Sequence, residues 1–177
     1  MRKFLILLLA LFYIPAAAFA SGLPMVGSEA PDFETTLLTG ETFRLSEQRG
    51  KVVLINIWAT WCGPCVAEMP DIDRLAKDYA EELVVIGVNC GEDEQTVADF
   101  VVENGYSYLF AADTGYYISG MLYPTTAIPY TIVVDADGVI TQLHRGGGAG
   151  MYEVLEGYVL NALKSVKTTE QGVQILA

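Results

Sequence analysis

Val52-Val53-Leu54-Ile55-Asn56-Ile57-Trp58-Ala59-Thr60-Trp61-Cys62-Gly63-Pro64-Cys65 opens on an apolar, β-branched run and closes on two cysteines. Residues 52–58 are short and almost wholly apolar, the pattern of a strand buried on both faces. Beyond them Val66, Met69, Ile72 and Leu75 recur at helical spacing, so the cysteines fall on a strand-to-helix turn. If the helix begins near Gly63, Cys62 lies at its N-terminal end, where unpaired backbone N–H groups and the helix dipole favour a thiolate. Low-pKa thiols of this kind are the nucleophiles of disulfide exchange.

Outward from that turn, Leu83 to Val88 is a second apolar run, ending at Asn89-Cys90-Gly91. Strand, helix, strand in this order implies a parallel pair with a right-handed crossover, the helix reaching about Ala80 and kinked at Pro70. Upstream, Ala30 to Phe33 and Phe43 to Leu45 flank Leu38-Thr39-Gly40-Glu41, which predicts a β-hairpin beside the central strand, covering an edge. Ser46 is placed to cap a short turn before Gly50.

Downstream, Val97, Phe100 and Val101 predict a helix stopped by Gly105, followed by a short strand over Tyr108 to Ala111. Thr114 to Met121 reads as a turn or helix. Ile128-Pro129 precedes a strand over Tyr130 to Val134, and Asp137-Gly138 turns it into another over Val139 to Leu143. The last helix carries Met151, Leu155, Tyr158, Val159, Ala162, Leu163 and Val166 on one face and is expected to lie across the sheet. Arg145-Gly146-Gly147-Gly148-Ala149-Gly150 lacks the Lys-Ser/Thr of a phosphate-binding loop and reads as a flexible lead-in to that helix.

The chain of 177 residues supports one domain with a sizeable core. Arg2 and Lys3, the apolar run Phe4 to Ile14, Pro15 and the small-x-small Ala18-Phe19-Ala20 predict an export signal over residues 1–20, with an uncleaved anchor through residues 4–20 as the alternative. The domain is then expected over residues 21–167, with residues 168–177 as a loose tail. Of 10 Lys and Arg, the signal holds two and none of the 22 acids, so the mature chain carries 8 basic residues and a formal charge of −14. Such a surface argues against nucleic acid as a partner.

Trp58-x-x-Trp61-Cys62-Gly63-Pro64-Cys65-x-x-Glu68-x-Pro70 after a buried strand, with a later Ile-Pro before a strand hairpin and a terminal helix, resembles the thioredoxin superfamily and, within it, the TlpA/ResA-like thiol-disulfide oxidoreductases. The likeness runs from about Gly27 to Lys164. It implies an α/β thioredoxin-like fold: a central mixed sheet flanked by helices, an N-terminal β-hairpin and a central helix-strand insertion. It also implies that Cys62 is the exposed nucleophile and Cys65 the thiol that resolves the mixed disulfide. Thioredoxin itself has an Asp where this chain has Asn56; the likeness gives that environment to Glu68, expected partly buried with a raised pKa. Pro129 takes the place of the family's cis-proline, with Trp61, Ile128 and Tyr130 as substrate-facing neighbours and Trp58 in the core. Tyr130 departs from the small residue usual there, which points to substrate selection.

The implied activity is reduction of protein disulfides outside the cytoplasm. It needs no cofactor or metal beyond the cysteine pair, takes electrons from a membrane thiol reductase, and includes cytochrome c apoprotein among its substrate classes. A monomer is expected. Three rivals stand beside it: a disulfide oxidase, a peroxide-reducing enzyme, and a binding module using the Tyr-rich stretch Asp113 to Thr126. The peroxide-reducing motif Pro-x-x-x-Thr-x-x-Cys is not matched, because Ile55 and Ala59 stand at its Pro and Thr positions. A zinc half-site is disfavoured, since Cys90 and His144 are the only further soft ligands and neither has zinc-like spacing. Cys90 is left as a third redox thiol, an intermolecular partner or a buried small residue.

Overall fold

The computed structural model of the chain describes residues 23–174, with side chains to residue 164. The expected export signal or anchor lies outside them. Among the described residues no helix is long and apolar enough to cross a membrane.

The run 52–58 is the central strand β3 (Val52–Trp58), and all seven of its residues are buried. It pairs in parallel with β4 (Leu83–Cys90) and antiparallel with β6 (Tyr130–Val134). With β5 (Leu109–Asp113) and β7 (Ile140–Arg145) outermost, the sheet has the order β5-β4-β3-β6-β7. Between β3 and β4 the chain crosses over through α1 (Gly63–Asp78), which continues through Pro70. Between β4 and β5 it forms α2 (Glu94–Asn104), capped by the Asp93 carboxylate and ended by Gly105 at φ 70°. The first crossover is the expected parallel βαβ unit, and the second, which carries the helix and strand of the insertion, is parallel as well.

Strand parity divides the core into two layers. Leu54 and Trp58 face α1 and α3 (Tyr152–Gln174), packing with Met69, Ile72, Leu75, Leu155 and Val159. Val53, Ile55 and Ile57 face the other way, toward Ile132, Tyr123, Phe33 and Phe43. Truncating Ile72 or Leu75, both fully buried, to alanine should cost about 2–5 kcal/mol.

Four expectations need correction. The hairpin β1 (Glu34–Thr36) and β2 (Thr42–Arg44) forms, but not beside β3, whose two edges are already taken by β4 and β6. It lies over the Ile55 and Ile57 layer, and the Leu38 N–H reaches the Phe110 carbonyl on outer strand β5 at 2.9 Å. Ser46 caps nothing; its N–H and hydroxyl both donate to the Asp32 carboxylate at 2.8 Å, pinning the turn after β2 to the segment before β1. The backbone of α3 stays helical to Gln174, into the stretch read as a loose tail, because no proline interrupts the hydrogen-bond ladder after Val166. The glycine stretch 146–150 is packed at the cysteine turn and is more than a flexible lead-in. Gly146 N–H donates to the Pro129 carbonyl and Gly150 N–H to Asp71, each at 2.8 Å.

Candidate active site

Cys62 is the N-cap of α1, with Gly63 and Pro64 in the first turn. Its Sγ accepts the Cys65 N–H at 3.3 Å, one of the donors a helix leaves free at its start. A negative sulfur is favoured there by the same N–H and by the helix dipole. The two cysteines are joined as a disulfide. Neither is openly exposed: Cys62 retains 5 % of its surface and Cys65 none, so the expected exposed nucleophile is the more accessible of two covered sulfurs. Trp61, the residue before, is 71 % exposed, whereas Trp58 is fully buried against Phe100 and Phe110.

Glu68 lies one helical turn beyond Cys65 and is 1 % exposed. Asn56 shares strand parity with Leu54 and Trp58, so its side chain points at α1, and its Nδ2 donates to Glu68 Oε1 at 2.9 Å. On β6 the same parity sends Thr131 to Asn56 Nδ2, at 3.3 Å. Above the carboxylate sits Gly147, where a Cβ would fall 1.8 Å from Glu68 Oε2 and 3.0 Å from Pro129 Cγ. Burial pushes the Glu68 carboxyl up to about 7; the Asn56 amide and the Gly148 N–H pull it back, and Asp71 adds to the rise. A carboxylate of this kind takes up or gives a proton near neutral pH.

The Ile128–Pro129 peptide bond is cis, and Pro129 stands beside Gly147 and Glu68. Ile128 is half-buried and borders a groove that also meets Trp61. Tyr130 does not join them. Parity turns it to the opposite layer with Ile132 and Val134, where it is fully buried beneath the Arg145 guanidinium, 4.5 Å from the ring centroid. Selection of substrates by direct contact with Tyr130 is therefore excluded in this conformation.

A second carboxylate reaches the turn from the other direction. Glu92, in the loop after β4, accepts the Thr60 N–H at 2.7 Å, the Thr60 hydroxyl at a shorter distance, and the Asn89 amide at 2.6 Å. Burial pushes Glu92 up, but the Thr60 hydroxyl, the Asn89 amide and the Thr60 N–H together hold it below the usual carboxylate range. Its effect is to fix Thr60, two residues ahead of Cys62. Cys90 is half-buried, and its thiol is held above its ordinary pKa by burial, with Glu92 and Asp113 adding to the rise against a backbone hydrogen bond. It is a poor nucleophile by that measure. His144 meets the Tyr158 hydroxyl at 3.1 Å, in an aromatic contact between β7 and α3.

Thr131 and Glu92 are members of the site that the sequence does not single out, while Asn56 stands out there only as a departure from Asp, and Gly147 and Gly148 only as part of a glycine stretch. Parity along 52–58 predicts that Asn56 meets whatever acid α1 carries, and parity along 130–134 predicts Thr131. For Glu92 the motif-free loop Asn89-Cys90-Gly91-Glu92 carries no such signal.

Residues 25–155 match the Redoxin family. The thiol-disulfide oxidoreductase ResA of Bacillus anthracis is 37 % identical over 136 residues, 76 % of either chain. The thioredoxin-like protein YneN of Bacillus subtilis is 37 % identical over 123 residues, 68 % of this chain and 71 % of that one. Among solved structures, a Chlorobium tepidum protein described as a DsbE-type thiol:disulfide interchange protein superposes with a TM-score of 0.73 at 29 % identity, over 79 % of this chain and 99 % of that one. The exposed lipoprotein thioredoxin of Streptococcus pneumoniae gives a TM-score of 0.63 at 28 % identity, over 72 % of this chain and 98 % of that one. With a Cys-Gly-Pro-Cys disulfide at the start of α1, a buried acid one turn on and a cis-proline beside it, the chain belongs to the redoxin family and is a ResA-like protein thiol-disulfide oxidoreductase.

Proposed function

We infer that the chain works outside the cytoplasm as a reductant of protein disulfides, using only its own cysteine pair and no further cofactor. The observation that carries this reading is the arrangement of Glu68: a covered carboxylate titrating near neutrality, one helical turn from the cysteine with no exposed surface.

In the reduced protein, the Cys62 thiolate attacks one sulfur of a substrate disulfide. A Cys62–substrate bond forms, the substrate S–S bond breaks, and the leaving thiolate takes a proton from water. Glu68 then accepts the Cys65 proton, the Cys65 thiolate attacks the Cys62 sulfur, and the Cys62–substrate bond breaks. The departing substrate thiolate takes the proton held by Glu68, which returns to its carboxylate. Two electrons pass to the substrate, with one proton from water and one from Cys65, and the protein is left with the disulfide seen here. Trp61, Ile128 and Pro129 border the path by which a polypeptide meets Cys62, an extended segment lying against the Ile128 backbone. To turn over again the pair needs a dithiol donor, for which a membrane thiol reductase is the fitting class.

The similarity to ResA and to an exposed lipoprotein thioredoxin supports export, as does the signal-like sequence of residues 1–20. The TlpA/ResA-like motif of the sequence makes the Cys-x-x-Cys-His pair of a cytochrome c apoprotein a substrate to try.

The test is a pair of variants offered an oxidised substrate protein after reduction. Cys65→Ser should accumulate a covalent mixed disulfide that thiol reagents release; Cys62→Ser should form none and lose all turnover. Equal trapping by both variants, or turnover surviving in Cys62→Ser, contradicts the assignment.

A further inference from the structure

A groove of about 490 Å³ opens between two exposed aromatic walls, Trp61, the residue before Cys62, and Tyr116, with Ile57, Cys90 and Ile128 among the residues lining it. None of its lining residues is charged. Tyr116 lies in the segment between β5 and β6, and it is the one non-glycine residue with positive φ among the described residues, at 55°. A tyrosine rarely adopts this conformation, and residues held there by their surroundings concentrate at functional sites.

The surroundings that hold it are specific. A Cβ on Gly91 would lie 1.9 Å from the Tyr116 hydroxyl, so the ring rests in a space that only glycine leaves open. A Cβ on Gly120 would lie 3.1 Å from the Tyr116 Cβ on the other flank. The turn that follows is fastened by the buried Asp113 carboxylate, which accepts the Tyr117 N–H at 2.8 Å and the Ser119 N–H and hydroxyl at 2.7 Å. Opposite, Glu92 fixes Thr60 and with it the base of Trp61. The backbone under both walls is thus fixed before any partner arrives, which lowers the ordering cost of binding.

We propose that Tyr116 is a specificity-determining residue, and that the groove it forms with Trp61 seats an uncharged, apolar side chain next to the cysteine of the polypeptide whose disulfide is reduced. The occupant follows from continuity with the redox site. Trp61 precedes Cys62 and Ile128 precedes Pro129, so a chain whose sulfur engages Cys62 runs past this groove, and a groove without charge penalises a charged neighbour. This assignment rests on the dithiol-disulfide reading above.

The experiment uses the reduced full chain and disulfide-linked dimers of a blocked five-residue peptide with cysteine at its centre. The residues flanking the cysteine are phenylalanine, glycine or glutamate. Each turnover converts one peptide dimer to two peptide thiols and the protein dithiol to its disulfide. The wild-type protein should reduce the phenylalanine dimer about tenfold faster than the glycine dimer, and the glutamate dimer slowest. Tyr116→Ala should bring the phenylalanine-to-glycine ratio close to one, and Tyr116→Phe, which keeps the ring, should retain it. Equal wild-type rates on the phenylalanine and glycine dimers overturn the proposal without recourse to any variant. A ratio unchanged in Tyr116→Ala also overturns it, with faster Cys90 alkylation in that variant marking Tyr116 as a cover for the thiol instead. Bis(2-hydroxyethyl) disulfide, which has no side chain for the groove, is given to the wild-type protein alone. Failure to reduce it sinks the dithiol reading; its reduction without peptide preference sinks only the groove.

Discussion

Glu68 and Glu92 are both carboxylates serving one cysteine turn, and their surroundings drive them in opposite directions. Glu68 stands beyond Cys65, covered by Gly147, with the Asn56 amide and the Gly148 N–H as its donors, and burial carries it up to about 7. Glu92 binds the approach to Cys62, receives the Thr60 hydroxyl, the Asn89 amide and the Thr60 N–H, and stays below the usual range. The number of donors against the depth of burial decides which acid holds a proton and which holds a loop. An acid suited to proton transfer is covered and short of donors; an acid suited to structure is wetter and saturated with them.

The comparison breaks most visibly in stability against pH. The raised Glu68 value means that its contribution is fully present below about 4.5 and is lost as pH rises through about 7. Glu68→Gln should therefore be more stable than wild type by about 3 kcal/mol at pH 8 and indistinguishable from it at pH 4, measured by denaturant unfolding of the oxidised protein. The same variant should resolve mixed disulfides about 10²-fold more slowly at pH 7, and the rise of that step with an apparent pKa near 7 should vanish, as read by stopped-flow release of the substrate thiol.

A smaller effect is expected above the carboxylate. Gly147→Ala places a Cβ against Glu68 Oε2, at a cost of roughly 1–3 kcal/mol in stability. If the carboxylate yields by turning toward water, its pKa falls toward the ordinary value, which a pH profile of the resolving step reports. The smallest effect, and the one of opposite sign, belongs to Glu92. Its depressed value makes its contribution present above the ordinary carboxylate pKa and lost as pH falls through the folded value. Glu92→Gln should be less stable than wild type at pH 7 and equal to it at low pH. Parallel pH profiles for the two Gln variants would mean that burial and donors do not divide the acids as described.

Much of this was legible in the sequence, because the site is built on a regular strand and helix. The run 52–58 fixes the central strand, the 3.6-residue spacing after Gly63 fixes α1, and the Cys-Gly-Pro-Cys motif names the chemistry. Read with its parity, the same run puts Asn56 under α1 and Ile57 on the far face. Applied to 130–134, that parity also moves Tyr130 away from the substrate side, a step the resemblance alone does not make. Loop contacts are harder to read. Gly147 over Glu68, Glu92 on Thr60 and Tyr116 over Gly91 bring together positions 25 to 79 residues apart through irregular backbone, which has no periodicity to read. The glycines gave a hint without a direction: Gly91 and Gly147 each mark a close approach, and only the fold says of what.

The measurement that bears most directly on the account is the reduction potential of the Cys62/Cys65 pair, taken by equilibrating the protein against thiol buffers and trapping free thiols by alkylation. A reductant supplied by a membrane dithiol should show a value near or below about −220 mV. A value near about −120 mV would contradict the account and make the chain an oxidase of the same fold.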